Sequence, residues 1–129
     1  MKLTLEHIEH YLSSGLYCIN EWGKKSKVVL DFSFENNTDF NETRVSFLIK
    51  RQYKLLLHPL SEFKGMTVDS IMVKIECHRF HAYEITKLVS GENELEELTI
   101  GTYKVMCKNQ IDFNNLIENG LAIDINTVK

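Results

Sequence analysis

The chain is 129 residues long, 43% hydrophobic, 26% charged and 10% aromatic, with one proline. These values are ordinary for a globular domain and exclude a disordered tail, a collagen-like repeat or a low-complexity segment; the length is that of a single domain, residues 1–129. Fifteen basic against eighteen acidic side chains leave a net charge of −3, without the basic excess whose counterion release drives duplex binding.

Thr4 is the expected N-cap of a first helix, with Leu5, Ile8 and Leu12 at i, i+3 and i+7 and Gly15 at its C-terminal end. No apolar leader precedes that helix. The longest apolar runs, such as Leu55-Leu56-Leu57, fall far short of the roughly 18 residues of a membrane span. Cys18, Cys77 and Cys107 are odd in number and widely spaced, which is no disulfide framework, so the expected setting is a reducing cytoplasm.

Strands are expected next. Leu16–Ile19 is β-prone, Gly23–Ser26 is a turn, and residues 27–34 alternate with Val28, Leu30, Phe32 and Phe34 on one face. Residues 35–42 are polar and read as a loop. Residues 43–50 alternate again through Val45, Phe47 and Ile49, residues 50–52 turn the chain, and residues 53–57 form another strand. One helical turn is expected over residues 61–66. Residues 71–78 suit either period, and the strand reading is preferred because Ile71, Val73, Ile75 and Cys77 alternate.

A short helix over residues 81–90, closed by Gly91, comes next. Asn93 with Glu94, Glu96 and Glu97 then marks a helix start, followed by a stripe of Ile100, Tyr103, Cys107 and Ile111 that resumes at Leu116 and Ile117 and ends at Gly120. Leu121, Ile123 and Ile125 alternate as a last strand or extended tail. The resulting expectation is an α+β fold: an antiparallel sheet of about five strands, with an N-terminal helix and a C-terminal helical segment packed on it.

No pattern of side chains commits the chain to a reaction, so no catalytic, metal or cofactor residue is assigned, and the expectation leans away from an enzyme. His7 and His10 share a helix without a local third ligand. Cys77-His78-Arg79-Phe80-His81 groups a thiol with two imidazoles, enough for a metal- or thiol-dependent alternative, although Cys77 falls on the apolar parity of its segment. His58-Pro59 lacks a nucleophile to serve, and the six glycines form no phosphate loop.

Two basic clusters with aromatic neighbours are the candidate partner-binding residues. Trp22 precedes Lys24, Lys25 and Lys27, and Lys50, Arg51 and Lys54 surround Tyr53. Lysines beside aromatic rings also suit single-stranded nucleic acid or RNA, the alternative binding partner. The run Glu92, Glu94, Glu96 and Glu97 reads as a first-turn complement to a helix dipole.

Three stretches carry a resemblance. They are Leu3-Thr4-Leu5-Glu6-His7 with Tyr11-Leu12 and Gly15-Leu16; residues 55–63, Leu-Leu-Leu-His-Pro-Leu-Ser-Glu-Phe; and Asp112 followed by residues 116–126, Leu-Ile-Glu-Asn-Gly-Leu-Ala-Ile-Asp-Ile-Asn. Together they resemble a family of small proteins encoded in bacteriophages and prophages. Relatives often carry Arg where His58 stands and more aromatics around Phe113-Asn114. The family brings no catalytic residue, and its shared stretches read as a folding signature. The resemblance implies a phage accessory protein in the host cytoplasm that binds a host protein. The expected class is an inhibitor of host defence, for example an anti-CRISPR protein blocking an RNA-guided nuclease.

Overall fold

The computed structural model describes residues 2–12, 15–30 and 42–128. They form an α+β fold built around one strand, β4 (Lys54–Pro59). Its Leu55 and Leu56 carry a ladder on each side: antiparallel to β1 (Tyr17–Ile19), with Cys18 opposite Leu55, and parallel to β6 (Ala122–Asp124), with Ala122 opposite Leu55. A strand paired along both edges leaves no backbone polar group for water, and continuous apolar sequence suits it. The run Leu55-Leu56-Leu57 is accordingly buried throughout.

Outward from β1 the sheet continues through β2 (Lys25–Val29), antiparallel, and β3 (Glu42–Arg44), parallel to β2. The short β5 (Ile111–Asp112) runs parallel to the last two residues of β4. The sheet is thus mixed, with six strands among the described residues, where sequence patterning predicts an antiparallel one. Strand direction depends on crossover connections, which alternation does not encode.

Side chains opposite one another in a ladder share a face. One face carries Cys18, Ser26, Val28, Thr43, Leu55, Leu57 and Ala122, all buried. On it the Ser26 and Thr43 hydroxyls satisfy each other at 2.7 Å. The core packed there includes Ile8, Tyr11, Leu48, Ile71, Ile85 and Met106. Leu56, one residue out of phase, is buried but lies outside this cluster.

The helices are α1 (Leu5–Glu9), α2 (Val45–Arg51), α3 (Val68–Ile75), α4 (Arg79–Ser90) and α5 (Ile100–Lys108). Thr4 caps α1 as its sequence predicts, although Leu5 is half exposed and Tyr11 takes the buried place beside Ile8. The strand expected over residues 43–50 ends at Arg44. Val45 and Leu48 are buried while Phe47 is exposed, which is helical spacing. Of the strand expected over residues 27–34, β2 accounts for residues up to Val29; residues 31–34, and the loop expected at 35–41, lie outside the described residues.

The strand expected around residues 71–78 is helix α3. Thr67 caps it by accepting from the Ser70 amide, Ile71 is buried, and Val73 is 80% exposed. Burial of one helical stripe overrides the β preference of Val and Ile. Helix α4 ends at Gly91, whose φ of 85° is the left-handed geometry expected of that glycine. The start expected at Asn93 is a single 3-10 turn, Leu95–Glu97, and the next true helix begins after its cap Thr99. Ile100 is 76% exposed, and the buried stripe of α5 is Thr102 and Met106.

The helix does not resume at Leu116. Residues 116–120 form a turn held by Asp112, whose buried carboxylate accepts the amides of Asn114, Leu116 and Ile117. Gly120 closes it at φ 77°, and the Leu121 amide donates to the Leu116 carbonyl. The last strand then forms as β6. No helix among the described residues is long and apolar enough to cross a membrane.

Candidate binding surface

The second face of the sheet is the one the core leaves open. Register places Lys25, Ile19 and Lys54 in one cross-strand row and Glu42, Lys27, Tyr17 and Leu56 in the next. Val29 and Arg44 continue it. Lys25, Lys27 and Lys54 are exposed, and Tyr17 and Ile19 are half buried between them. Four cationic side chains thus stand on this face against the single carboxylate of Glu42. The Lys25 ammonium sits 4.4 Å above the centre of the Tyr17 ring, a cation–π contact. The Lys54 ammonium donates to the Gly120 carbonyl.

Beside this face, around the β1–β2 turn, lie most of the residues singled out from sequence. The β1–β2 turn is shaped by Asn20, whose side-chain oxygen accepts from the Trp22 and Lys24 amides, both at 3.0 Å. Trp22 is 59% exposed at its tip. Glu21 pairs with Arg51, the last residue of α2, at 3.0 Å, and the Arg51 guanidinium lies 5.5 Å from the centre of the exposed Phe47 ring. This ion pair joins residues 30 apart in sequence and so brings two clusters to one edge: Trp22 and Lys24 from the turn, Lys50 and Arg51 from the helix.

Tyr53 does not join them. It precedes Lys54 with opposite parity, and its partly buried ring packs against the core. Tyr17 and Phe47, which the sequence does not single out, are present instead, while Lys54 of the second cluster stands on the sheet face opposite Ile19. Strand alternation held the signal for Tyr53, because Lys54 outward puts its neighbour inward. Nothing local marks Tyr17 or Lys54 as neighbours of Lys25.

Each of the five histidines has a structural partner. Nδ1 of His7 accepts from the Thr4 amide at the start of α1, whereas His10 stacks edge-on against Tyr103 and Phe113. His78 caps α4, accepting from the Phe80 amide. Nδ1 of His81 lies 2.8 Å from the Thr102 hydroxyl, which donates to Glu84 and so fixes the imidazole as the donor in that bond. His58 meets Glu62 at 2.9 Å, and the same carboxylate takes Lys74 at 3.0 Å and Asn126 at 3.1 Å. A small open pocket lies beside them, lined by His58, Phe63, Lys74, Ile75 and Asn109.

Among the described residues no group of three or more His, Cys, Asp or Glu side chains is placed to hold a metal ion. Burial raises the Cys77 thiol above its ordinary value, despite backbone hydrogen bonds that lower it, so its surroundings do not favour the thiolate. Cys107 is raised by burial too, and Cys18, sealed in the core, is pushed up to about 11. Glu84 is lowered: burial acts to raise it, but the hydroxyls and amide of Thr102 and Thr99 together outweigh burial. Comparison with known proteins found no matching family model, curated protein or solved structure.

Proposed function

We propose that the chain is a non-enzymatic binding protein that acts by occupying a surface of a partner protein. The observation that carries this reading is the edge where Glu21–Arg51 joins Trp22 to Phe47. Trp and Arg are the residue types that dominate interface energetics, and aromatic anchors ringed by lysines match a partner whose surface is apolar at the centre and acidic at the rim. The family resemblance supplies the biological class: a phage or prophage accessory protein in the host cytoplasm. Its target would be a host-defence protein such as an RNA-guided nuclease, which would make it an anti-CRISPR.

Affinity capture of tagged protein from nuclease-treated host lysate, followed by mass spectrometry, tests this. One stoichiometric host protein is expected. Trp22→Ala and Arg51→Ala should each weaken its binding by about thirtyfold, the scale of an interface anchor. Recovery of the bait alone, or a captured protein indifferent to both substitutions, overturns the assignment of this edge.

A further inference from the structure

We infer that the open face of the sheet, beside but separate from the Trp22–Arg51 edge, is a platform for a single strand of nucleic acid. The juxtaposition that carries it is Tyr17 set in the middle of a cationic surface: Lys27 beside it in one row, Lys25 and Lys54 in the next, and the Lys25 ammonium over its ring. Lys25 and Lys27 are two residues apart on β2, hence about 6.7 Å apart along the strand. That spacing is of the order of the phosphate repeat in an extended single strand. Unstacked bases need an aromatic face, and Tyr17 offers one between the lysines.

The chemistry selects this ligand over others. A duplex hides the faces of its bases, and it would meet only four cations on a molecule of net charge −3. An acidic peptide satisfies the lysines but makes no use of the ring. A single strand uses both: its phosphates take Lys25, Lys27 and Lys54, and a base displaces the Lys25 ammonium from Tyr17. The platform is bounded on the β4 side, where Leu56 is already buried, so the footprint is a few nucleotides. Lysines contact phosphates and the Tyr17 ring contacts the face of a base, neither of which distinguishes bases, so recognition is independent of sequence.

Fluorescence anisotropy with labelled ten-residue oligouridylate and oligothymidylate, titrated at several salt concentrations, tests the platform. Three phosphate contacts predict a log–log salt slope of about −2, and Lys27→Gln should reduce its magnitude by about 0.7. Tyr17→Leu should weaken binding about tenfold at unchanged slope. Lys104→Gln, an exposed residue on α5, should leave both unaltered. Because Lys27 is exposed, its variant keeps the test open if Tyr17→Leu fails to fold. Equal affinity for uridylate and thymidylate places recognition in phosphate and stacking, as argued. No binding at the lowest salt, or a slope untouched by Lys27→Gln, overturns the proposal. So does equal competition by an oligoglutamate peptide, which would make the face a site for acidic protein.

Discussion

Asp112 and Glu62 each accept three hydrogen bonds, and they do so in opposite ways. Asp112 takes three backbone amides from residues 114, 116 and 117. Glu62 takes three side chains, His58, Lys74 and Asn126, the last of them 64 residues away. Asp112 is buried and its donors belong to the turn it creates, so little chain entropy is spent in gathering them. Glu62 clips together the end of β4, helix α3 and the C-terminal segment. Its flexible donors keep water within reach, with 37% of the Lys74 side chain exposed. A carboxylate that builds local backbone is a condition of folding, whereas one that gathers distant side chains adjusts a fold already made.

Removing the first should therefore cost far more. Asp112→Ala leaves three amides without their acceptor in a buried turn and is expected to destabilise the protein by about 4 kcal/mol, given that bonds to charged groups are worth about 1.5–3 kcal/mol each and are not additive. Chemical denaturation measures it. The loss should spread to β6, because the same turn delivers Leu121 and Ala122 to the edge of β4. A cost below 1 kcal/mol would mean that water replaces the carboxylate, and the contrast with Glu62 would collapse.

Glu62→Gln keeps the shape and an acceptor oxygen, and should cost about 1 kcal/mol at neutral pH. Its pH dependence separates it from a packing defect. Burial acts to raise the Glu62 carboxyl, but Lys74, Asn126 and His58 together hold it below its ordinary value. A lowered folded value means that the unfolded chain binds the proton first as pH falls. The ionised form's contribution is then complete above the unfolded carboxylate value, near pH 4.3, and is lost as pH drops through the lower folded one. Wild type and Glu62→Gln should accordingly converge in stability on acidification through that window. A gap that stays constant with pH would assign the loss to shape, not charge.

Both carboxylates lie in stretches with strong local sequence signals, and their roles explain why those stretches read as structure. The segment Leu55–Phe63 is a central strand ending in the His58–Glu62 contact, and residues 112–126 are a carboxylate-held turn feeding an edge strand. Local signals of this kind were legible: the Thr4 cap, β1, β4, the Gly91 terminus and β6 all follow from residues within one turn of each other. What the sequence concealed is set by distance. Lys25 and Lys54 share a row because each pairs with Ile19, and no local pattern reports a register that spans 29 residues. Residues 68–75 were ambiguous for another reason, since Val68, Ile71, Met72 and Ile75 fit a helix while alternate positions fit a strand. Thr67 followed by Asp69 was the start signal that would have broken the tie.

The smallest expected effect sharpens the comparison from its far end. Arg79 and Asp69 approach to 2.8 Å, closer than Arg51–Glu21, His58–Glu62 or Lys74–Glu62, yet their side chains are 66% and 78% exposed. Water competes for both charges, and the long Arg side chain must be ordered to make the contact. Arg79 is also the first residue of α4, where a cation opposes the helix dipole. Arg79→Ala should therefore change stability by less than about 0.5 kcal/mol in either direction, read by the same denaturation assay. If it cost as much as Glu62→Gln, proximity rather than burial would be ranking these interactions. The expected order runs the other way, because a carboxylate's worth should follow how much water its partners have already given up.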